Sequence, residues 1–223
     1  MEATIKRVNR SKEAARASYN RLSRWYDVIA GSTEKKYRDW GLKKLSAQSG
    51  EKILEIGFGT GHCLVSLAEA VGPTGRVIGL DISDGMLAIA RERLQREGLN
   101  DRVDLHLGDA ASLSFIETNS LDGVFMSFTL ELFDNPDIAR VLQECHRILK
   151  SGARLSIVSM TKTNPPGVPV RIYEWFHEHM PEYADCRPIF ARHALEENGF
   201  KIQNVSVSSM WGLPVEIVLG KKS

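Results

Sequence analysis

The run Leu54-Glu55-Ile56-Gly57-Phe58-Gly59-Thr60-Gly61-His62 places glycines at every second position directly after a short apolar segment. Glycine permits positive φ and lets the backbone approach a ligand closely. Where such a loop opens a helix, the free N–H groups of the first turn are donors for a polar ligand. A nucleotide-type cofactor is therefore expected, held at the carboxyl ends of parallel strands. Two nucleotide loops are excluded. The dinucleotide fingerprint needs glycine at position 62, where this chain has His62, and a P-loop needs a following Gly-Lys-Ser/Thr, which is missing. A tight turn that binds nothing is the plainer alternative, and the agreement of strand, loop and helix contexts weighs against it.

A second set of side chains could move a proton: Glu131, and Glu174, His177 and His179 in a later aromatic-rich stretch. The triplet His177-Glu178-His179 raises the question of a metal shared with Cys186. Two histidines at i and i+2 point to different helix faces and no fourth ligand follows, so no metal site is expected. Each of these carboxylates and imidazoles is weighed against the ordinary reading of a polar side chain on a solvated helix face.

The elements that must position these groups follow from hydrophobic periodicity. Short apolar runs alternate with longer amphipathic segments from about residue 51, the pattern of a parallel α/β fold. Strands are predicted at 52–56, 76–80, 103–107, 121–127 and 153–159. Helices are predicted after the glycine loop, with Leu64, Leu67, Ala68 and Val71 on one face, and at 84–97, with Leu87, Ala90 and Leu94. After Pro136 the positions Ile138, Val141, Leu142, Cys145, Ile148 and Leu149 mark a strongly amphipathic helix. Ser151-Gly152 is expected to turn the chain into the fifth strand.

Five prolines and four aromatic residues then crowd into 165–188, which reads as an inserted lid or substrate segment. A short helix at 190–198 precedes two further strands, 201–207 and 215–219, joined by a seven-residue loop at 208–214. Their spacing allows a hairpin, so one strand is expected to run antiparallel.

The 223 residues, 43% hydrophobic and 26% charged, suit one globular domain rather than a fibre, disulfide scaffold or disordered tail. No apolar stretch is long enough for a membrane helix and the first residues lack a secretion core, so a cytoplasmic location is expected. Cys63, Cys145 and Cys186 are widely spaced and are read as reduced thiols. The near-neutral total conceals an asymmetry. Residues 1–24 hold seven basic side chains against two acidic ones, +5, leaving 22 basic against 26 acidic, −4, elsewhere. A basic arm of this kind can approach anionic lipid or nucleic acid, although a solvated helix face is the simpler reading.

Taken in order, Glu55-x-Gly57-x-Gly59-x-Gly61, then Gly79-Leu80-Asp81-Ile82-Ser83, then Gly108-Asp109-Ala110 resemble the class I S-adenosylmethionine-dependent methyltransferases. Tyr26-Asp27, Leu121-Asp122-Gly123-Val124 and Arg147-Ile148-Leu149-Lys150-Ser151-Gly152-Ala153 extend the likeness over about residues 19–160, and toward the ubiquinone/menaquinone C-methylase-related branch. The resemblance implies a Rossmann-like, doubly wound α/β fold. Its seven-stranded sheet would be mostly parallel with one antiparallel strand. The chain would be a single domain: an N-terminal helical cap (1–50), cofactor core (51–160), substrate or lid insert (161–190), then a C-terminal helix and hairpin (191–223).

It also implies S-adenosyl-L-methionine as cofactor. Asp81 would accept hydrogen bonds from both ribose hydroxyls, and Asp109 with the Ala110 N–H would meet the adenine. Met86 and Ile82 would lie along the adenosine, and Glu55 would orient the loop and the methionine end. Gly57, Phe58, Gly59 and Gly61 would form the loop itself. Ser127 and Phe128 would line the transferring methyl, and Tyr26 and Tyr19 would close over the cofactor.

After the fourth strand the quinone methylases carry an arginine-containing stretch where this chain has Thr129-Leu130-Glu131-Leu132. The expected acceptor is accordingly a small-molecule or lipid-like compound, its nucleophilic atom left open, with Glu131, His177 and His179 as candidate bases. No nucleic-acid partner is expected, and residues 1–24 are the candidate for peripheral membrane contact. Two other classes stand against this reading. One is a nicotinamide-dependent oxidoreductase, opposed by His62 and the Asp109 motif. The other is a non-catalytic cofactor-fold protein using its basic arm on nucleic acid or membrane.

Overall fold

The computed structural model describes residues 31–162 and 187–223, together with Ala17. Within them the chain runs α1 (Gly31–Leu45), β1 (Lys52–Ile56), α2 (His62–Val71), β2 (Arg76–Asp81), α3 (Asp84–Arg96) and β3 (Val103–Leu107). It continues through β4 (Leu121–Ser127), α4 (Asn135–Ile148), β5 (Leu149–Met160), α5 (Ala191–Glu197), β6 (Phe200–Met210) and β7 (Leu213–Lys222). One sheet has the order β3-β2-β1-β4-β5-β7-β6. Strands β1 to β5 pair in parallel, and β7 runs antiparallel to both β5 and β6. The expected seven-stranded, doubly wound sheet with one antiparallel strand is what the chain forms.

Two apolar layers cover its faces. Ile53, Val77, Phe125 and Val158 pack with α1, α2 and α3 on one side, where Leu64, Leu67, Ala68, Val71, Met86, Ala90 and Leu94 are buried. Leu54, Ile56, Met126 and Leu155 pack with α4 and α5 on the other, against Ile138, Val141, Leu142, Cys145, Ile148 and Leu195. The central strands are apolar on both faces, as strands covered on both sides must be.

α1 lies unusually close to the sheet. A Cβ at Gly41 would stand 2.4 Å from Val158 Cγ2 and 2.9 Å from Phe125 Cε2, and the Ser156 hydroxyl donates to the Gly41 carbonyl at 2.9 Å. The runs at 121–124 and 147–153 that extend the family likeness have structural duties. The Lys52 N–H and the Lys150 ammonium both donate to Asp122, tying β4 to β1 and β5. Arg147 grips Glu144 through two N–H donors and also donates to the carbonyls of Leu113 and Ile116. That clamp holds the loop after β3, and with it Asp109, against α4.

Two predicted boundaries are corrected. β5 begins at Leu149, and Ser151-Gly152 lies inside it as a register irregularity, with Gly152 at φ 74°. The loop at 208–214 is mostly strand: Met210 pairs with Leu213, leaving a two-residue turn, Trp211-Gly212. No helix among the described residues is long and apolar enough to cross a membrane.

Candidate active site

The order of the strands reverses at β1, which has β2 on one side and β4 on the other. Doubly wound sheets bind ligands in the crevice at such a switch point, beyond the carboxyl ends of the strands. The glycine loop leaves β1 there and Ser127 to Glu131 leave β4 beside it.

Each loop glycine answers a different demand. Gly57, at φ 72°, donates to the Leu80 carbonyl at 2.7 Å, and a Cβ on it would stand 2.3 Å from Thr129 Oγ1. Gly61, at φ 84°, lies against Ala90 of α3, 3.0 Å from its Cβ. Gly59 is at φ 52° with no atom within 4 Å of where a Cβ would be, so its exposed side forms an open cradle. The side chain that breaks the dinucleotide fingerprint is engaged with α3: His62 Nε2 lies 2.8 Å from Arg93 Nη1.

Asp81 stands across this cradle at the end of β2. Its Oδ2 accepts from the Gly59 N–H and its Oδ1 from the Ser83 N–H, both at 2.9 Å. Burial raises its pKa, and these backbone donors pull it back. A carboxylate oxygen has more than one acceptor position, so both oxygens remain able to accept from a vicinal diol. Ser83 caps α3 through its hydroxyl, which accepts from the Met86 N–H at 3.1 Å. Met86, Phe58 and Phe128 are packed in the apolar layer beneath α1 to α3 and Ala110 in the layer on the other face, whereas Ile82 and Asp109 are partly exposed. Asp109 accepts from the Ala111 N–H at 3.0 Å, fixing the turn beyond β3.

Glu55 faces the same side of the sheet from β1. It is 2% exposed and its Oε2 has no hydrogen-bond partner among the described residues. Burial lifts its pKa well above the usual carboxylate range, Arg38 opposes the shift, Asp81 adds to it, and the Cys63 thiol donates to the carboxylate. Arg38 also pairs with Glu34 one helical turn away, at 3.4 Å, and burial pushes the Glu34 carboxyl up to about 7. Sequence reasoning missed Glu34 and Arg38. Their i, i+4 spacing is that of any exposed helical ion pair, and nothing in the pattern marks that pair as turned inward.

Beyond β4, Phe128 takes φ 51°, an uncommon conformation for an aromatic residue, while its N–H donates to the Val158 carbonyl at 2.8 Å. This sharp bend delivers Glu131 into the interior. Glu131 is fully buried, its Oε1 accepting from the Met160 N–H at 3.0 Å and its Oε2 without a partner among the described residues. Burial pushes its carboxyl up to about 8, with Glu34 raising it further and Arg187 lowering it. The Ser127 hydroxyl is likewise buried without a partner among the described residues. Arg187, also missed from sequence, donates to the Phe133 carbonyl at 2.5 Å and to Asn135 Oδ1 at 2.7 Å, pinning the chain's return to the turn before α4. Of the other predicted residues, Tyr19, Tyr26, Glu174, His177 and His179 lie outside the described residues.

Residues 53–152 match the family model for a methyltransferase domain. The demethylmenaquinone methyltransferase of Oceanobacillus iheyensis is 35% identical over 163 residues, 73% of this chain and 67% of that one. Its counterpart in Listeria welshimeri is 32% identical over 182 residues, 82% and 74% of the two chains. The chain belongs to the class I S-adenosylmethionine-dependent methyltransferases. Within them it falls in the menaquinone-related branch. Its fold is shared over 99% of both chains with the cyclase SpnF, at a TM-score of 0.78 and 17% identity.

S-Adenosylmethionine is therefore the methyltransferase's cofactor, and the residues present fit it. The Gly59 cradle leaves room for a ligand, Asp81 offers two held acceptors, and Glu55 brings a carboxylate oxygen with no partner among the described residues. The alternative of a nicotinamide oxidoreductase is not favoured.

Proposed function

We propose that this methyltransferase alkylates a quinol-like ring acceptor and that Glu131 receives the acceptor's hydroxyl proton. The observation that carries this reading is the Oε2 of Glu131, without a partner among the described residues and wholly buried at the end of the sheet where the cofactor loop opens. The acceptor class is supported by the relatives that act on demethylmenaquinone. In the cofactor half of the site, Asp81 holds the ribose hydroxyls and Asp109 with the Ala110 N–H meets the adenine. Glu55 faces the methionine ammonium, with Arg38 as the cation beside it, and the loop from Gly57 to Gly61 lets the backbone close on the ligand.

S-Adenosylmethionine supplies a methyl on a sulfonium sulfur, which departs as a neutral thioether. Transfer to carbon needs an electron-rich acceptor held in line and about 3 Å away, so positioning accounts for much of the rate. A neutral quinol ring is a modest nucleophile, and loss of a hydroxyl proton raises the electron density at the adjacent carbon. Glu131 takes that proton on Oε2 while Met160 keeps Oε1 in place. The proton displaced from the methylated carbon leaves afterwards as the ring regains aromaticity. Ser127 and Phe128 border the path between the two halves of the site. Proton removal by a placed base is worth about 10²–10⁴-fold.

The base works only as carboxylate, so activity is expected to rise as pH climbs through about 8. Glu131→Gln keeps an acceptor for the Met160 N–H and removes the base. It should lower kcat by about two orders of magnitude and abolish the pH-dependent rise, with cofactor affinity unchanged. Full activity in that variant would overturn the assignment.

A further inference from the structure

Trp211 and Gly212 form the two-residue turn between β6 and β7, at φ 52° and 85°. A turn with both central residues at positive φ favours Asn-Gly or Asp-Gly, because a bulky L side chain is strained in the left-handed region. Trp211 occupies it all the same, and it is 77% exposed. Its neighbours extend the apolar character: Met210-Trp211-Gly212-Leu213-Pro214 contains no polar side chain, and Met210 and Leu213 are only partly buried. The tip thus carries both backbone strain and exposed apolar surface, and neither helps the chain to fold.

Its position gives both a purpose. β7 runs antiparallel to β5 with Val215 opposite Met160, so the tip stands at the carboxyl end of β5, the end where Glu131 binds the Met160 N–H. Two backbone contacts anchor it, each beside a lysine in the chain. The Tyr37 hydroxyl donates to the Ser209 carbonyl at 2.6 Å, and the ammonium of the neighbouring, exposed Lys36 lies 5.8 Å from the centroid of the Tyr37 ring. The Thr161 N–H donates to the Pro214 carbonyl at 2.9 Å, with Lys162 next in the chain. An exposed indole on an apolar hairpin tip, with Lys36 beside the residue that anchors the tip, matches the water–lipid boundary, where aromatic rings sit at headgroup level and lysines meet anionic phosphates. A protein partner fits less well: one indole offers about 250 Å² at most, against the roughly 800 Å² per side of a stable protein interface.

We propose that the 210–214 hairpin tip is a membrane-interfacial contact that seats the protein, with its active-site end facing the lipid, on a bilayer surface containing anionic lipid. Flotation of the full chain with phosphatidylcholine vesicles, with and without phosphatidylglycerol, reads this directly. Wild type should float with the anionic vesicles, and more weakly with the neutral ones. Trp211→Asn should reduce partitioning about tenfold, as expected for losing one buried aromatic side chain. Asparagine suits the left-handed turn, so the same variant should melt at or above the wild-type temperature, which separates lost binding from lost folding. Wild type that fails to float, or Trp211→Asn that floats equally well, would overturn the proposal. So would a concentration-dependent dimer that Trp211→Asn abolishes, since the tip would then belong to a second copy. No methyl acceptor enters the measurement, so its outcome is independent of the acceptor proposed above.

Discussion

Asp81 is a partly buried carboxylate and Glu131 a fully buried one, and their hydrogen bonds suit them to the different tasks proposed for them. Asp81 accepts two backbone N–H bonds, which support the charged form. Two charge-assisted bonds to a ribose diol should make Asp81→Ala weaken S-adenosylmethionine by about 3 kcal/mol, or two orders of magnitude, in calorimetry. Unchanged affinity would remove Asp81 from the cofactor site. Backbone donors, its own N–H and that of Met160, offset only part of the cost of burying Glu131, so its folded pKa of about 8 stands above its ordinary 4.5. Between those values the folded chain keeps a proton that the unfolded chain gives up, so stability falls as pH rises through that window. Glu131→Gln removes this slope. The melting temperature of the variant should exceed that of wild type at pH 8 by more than it does at pH 5. Asp81 and the glycines were legible in the sequence because strand end, spacing and residue type coincide. The burial of Glu131 was not, since a glutamate in a short turn looks like surface until the bend at Phe128 is known. Glu34 and Arg38 were hidden for the same reason.

Elements constrain the site through close approach. α1 reaches β4 and β5 only because Gly41 has no side chain, and it brings Tyr37, Arg38 and Glu34 to the cofactor end. Gly41→Ala would gain about 1 kcal/mol of helix propensity and force a methyl into Val158 and Phe125. Overpacking of this kind costs about 1–3 kcal/mol, so chemical denaturation should show a net loss of stability. A neutral or stabilised Gly41→Ala would mean that α1 moves freely on the sheet. β1, β3 and β4 were readable to the residue because each is a short apolar run bounded by turn signals. The β6–β7 turn was misread for a physical reason: Trp-Gly is poor hairpin chemistry, and Pro214 beside it resembles loop punctuation. The place where local preference fails is the place where the chain exposes an aromatic residue, which is the pattern expected when a turn serves something other than folding.

At the scale of the molecule, one sheet with helices on both faces brings groups from β1, β2, β4 and α1 to a single edge, although they are spread over a hundred residues of sequence. Composition said nothing of this, because a net charge of +1 averages over a basic start and a more acidic remainder. The fold class and the cofactor were legible from ordered motifs. The acceptor side was not, since it depends on which carboxylates turn inward and which surface meets the substrate's surroundings. The proposed reaction at this end of the sheet moves a methyl from S-adenosylmethionine to a quinol-like ring. Incubation of the full chain with methyl-labelled S-adenosylmethionine and a reduced demethylnaphthoquinone, followed by mass spectrometry, tests it most directly. The label should appear on a ring carbon, at a rate that rises through about pH 8 and collapses in Glu131→Gln. Cofactor binding without any transfer to the ring, or transfer that Glu131→Gln leaves intact, would contradict it.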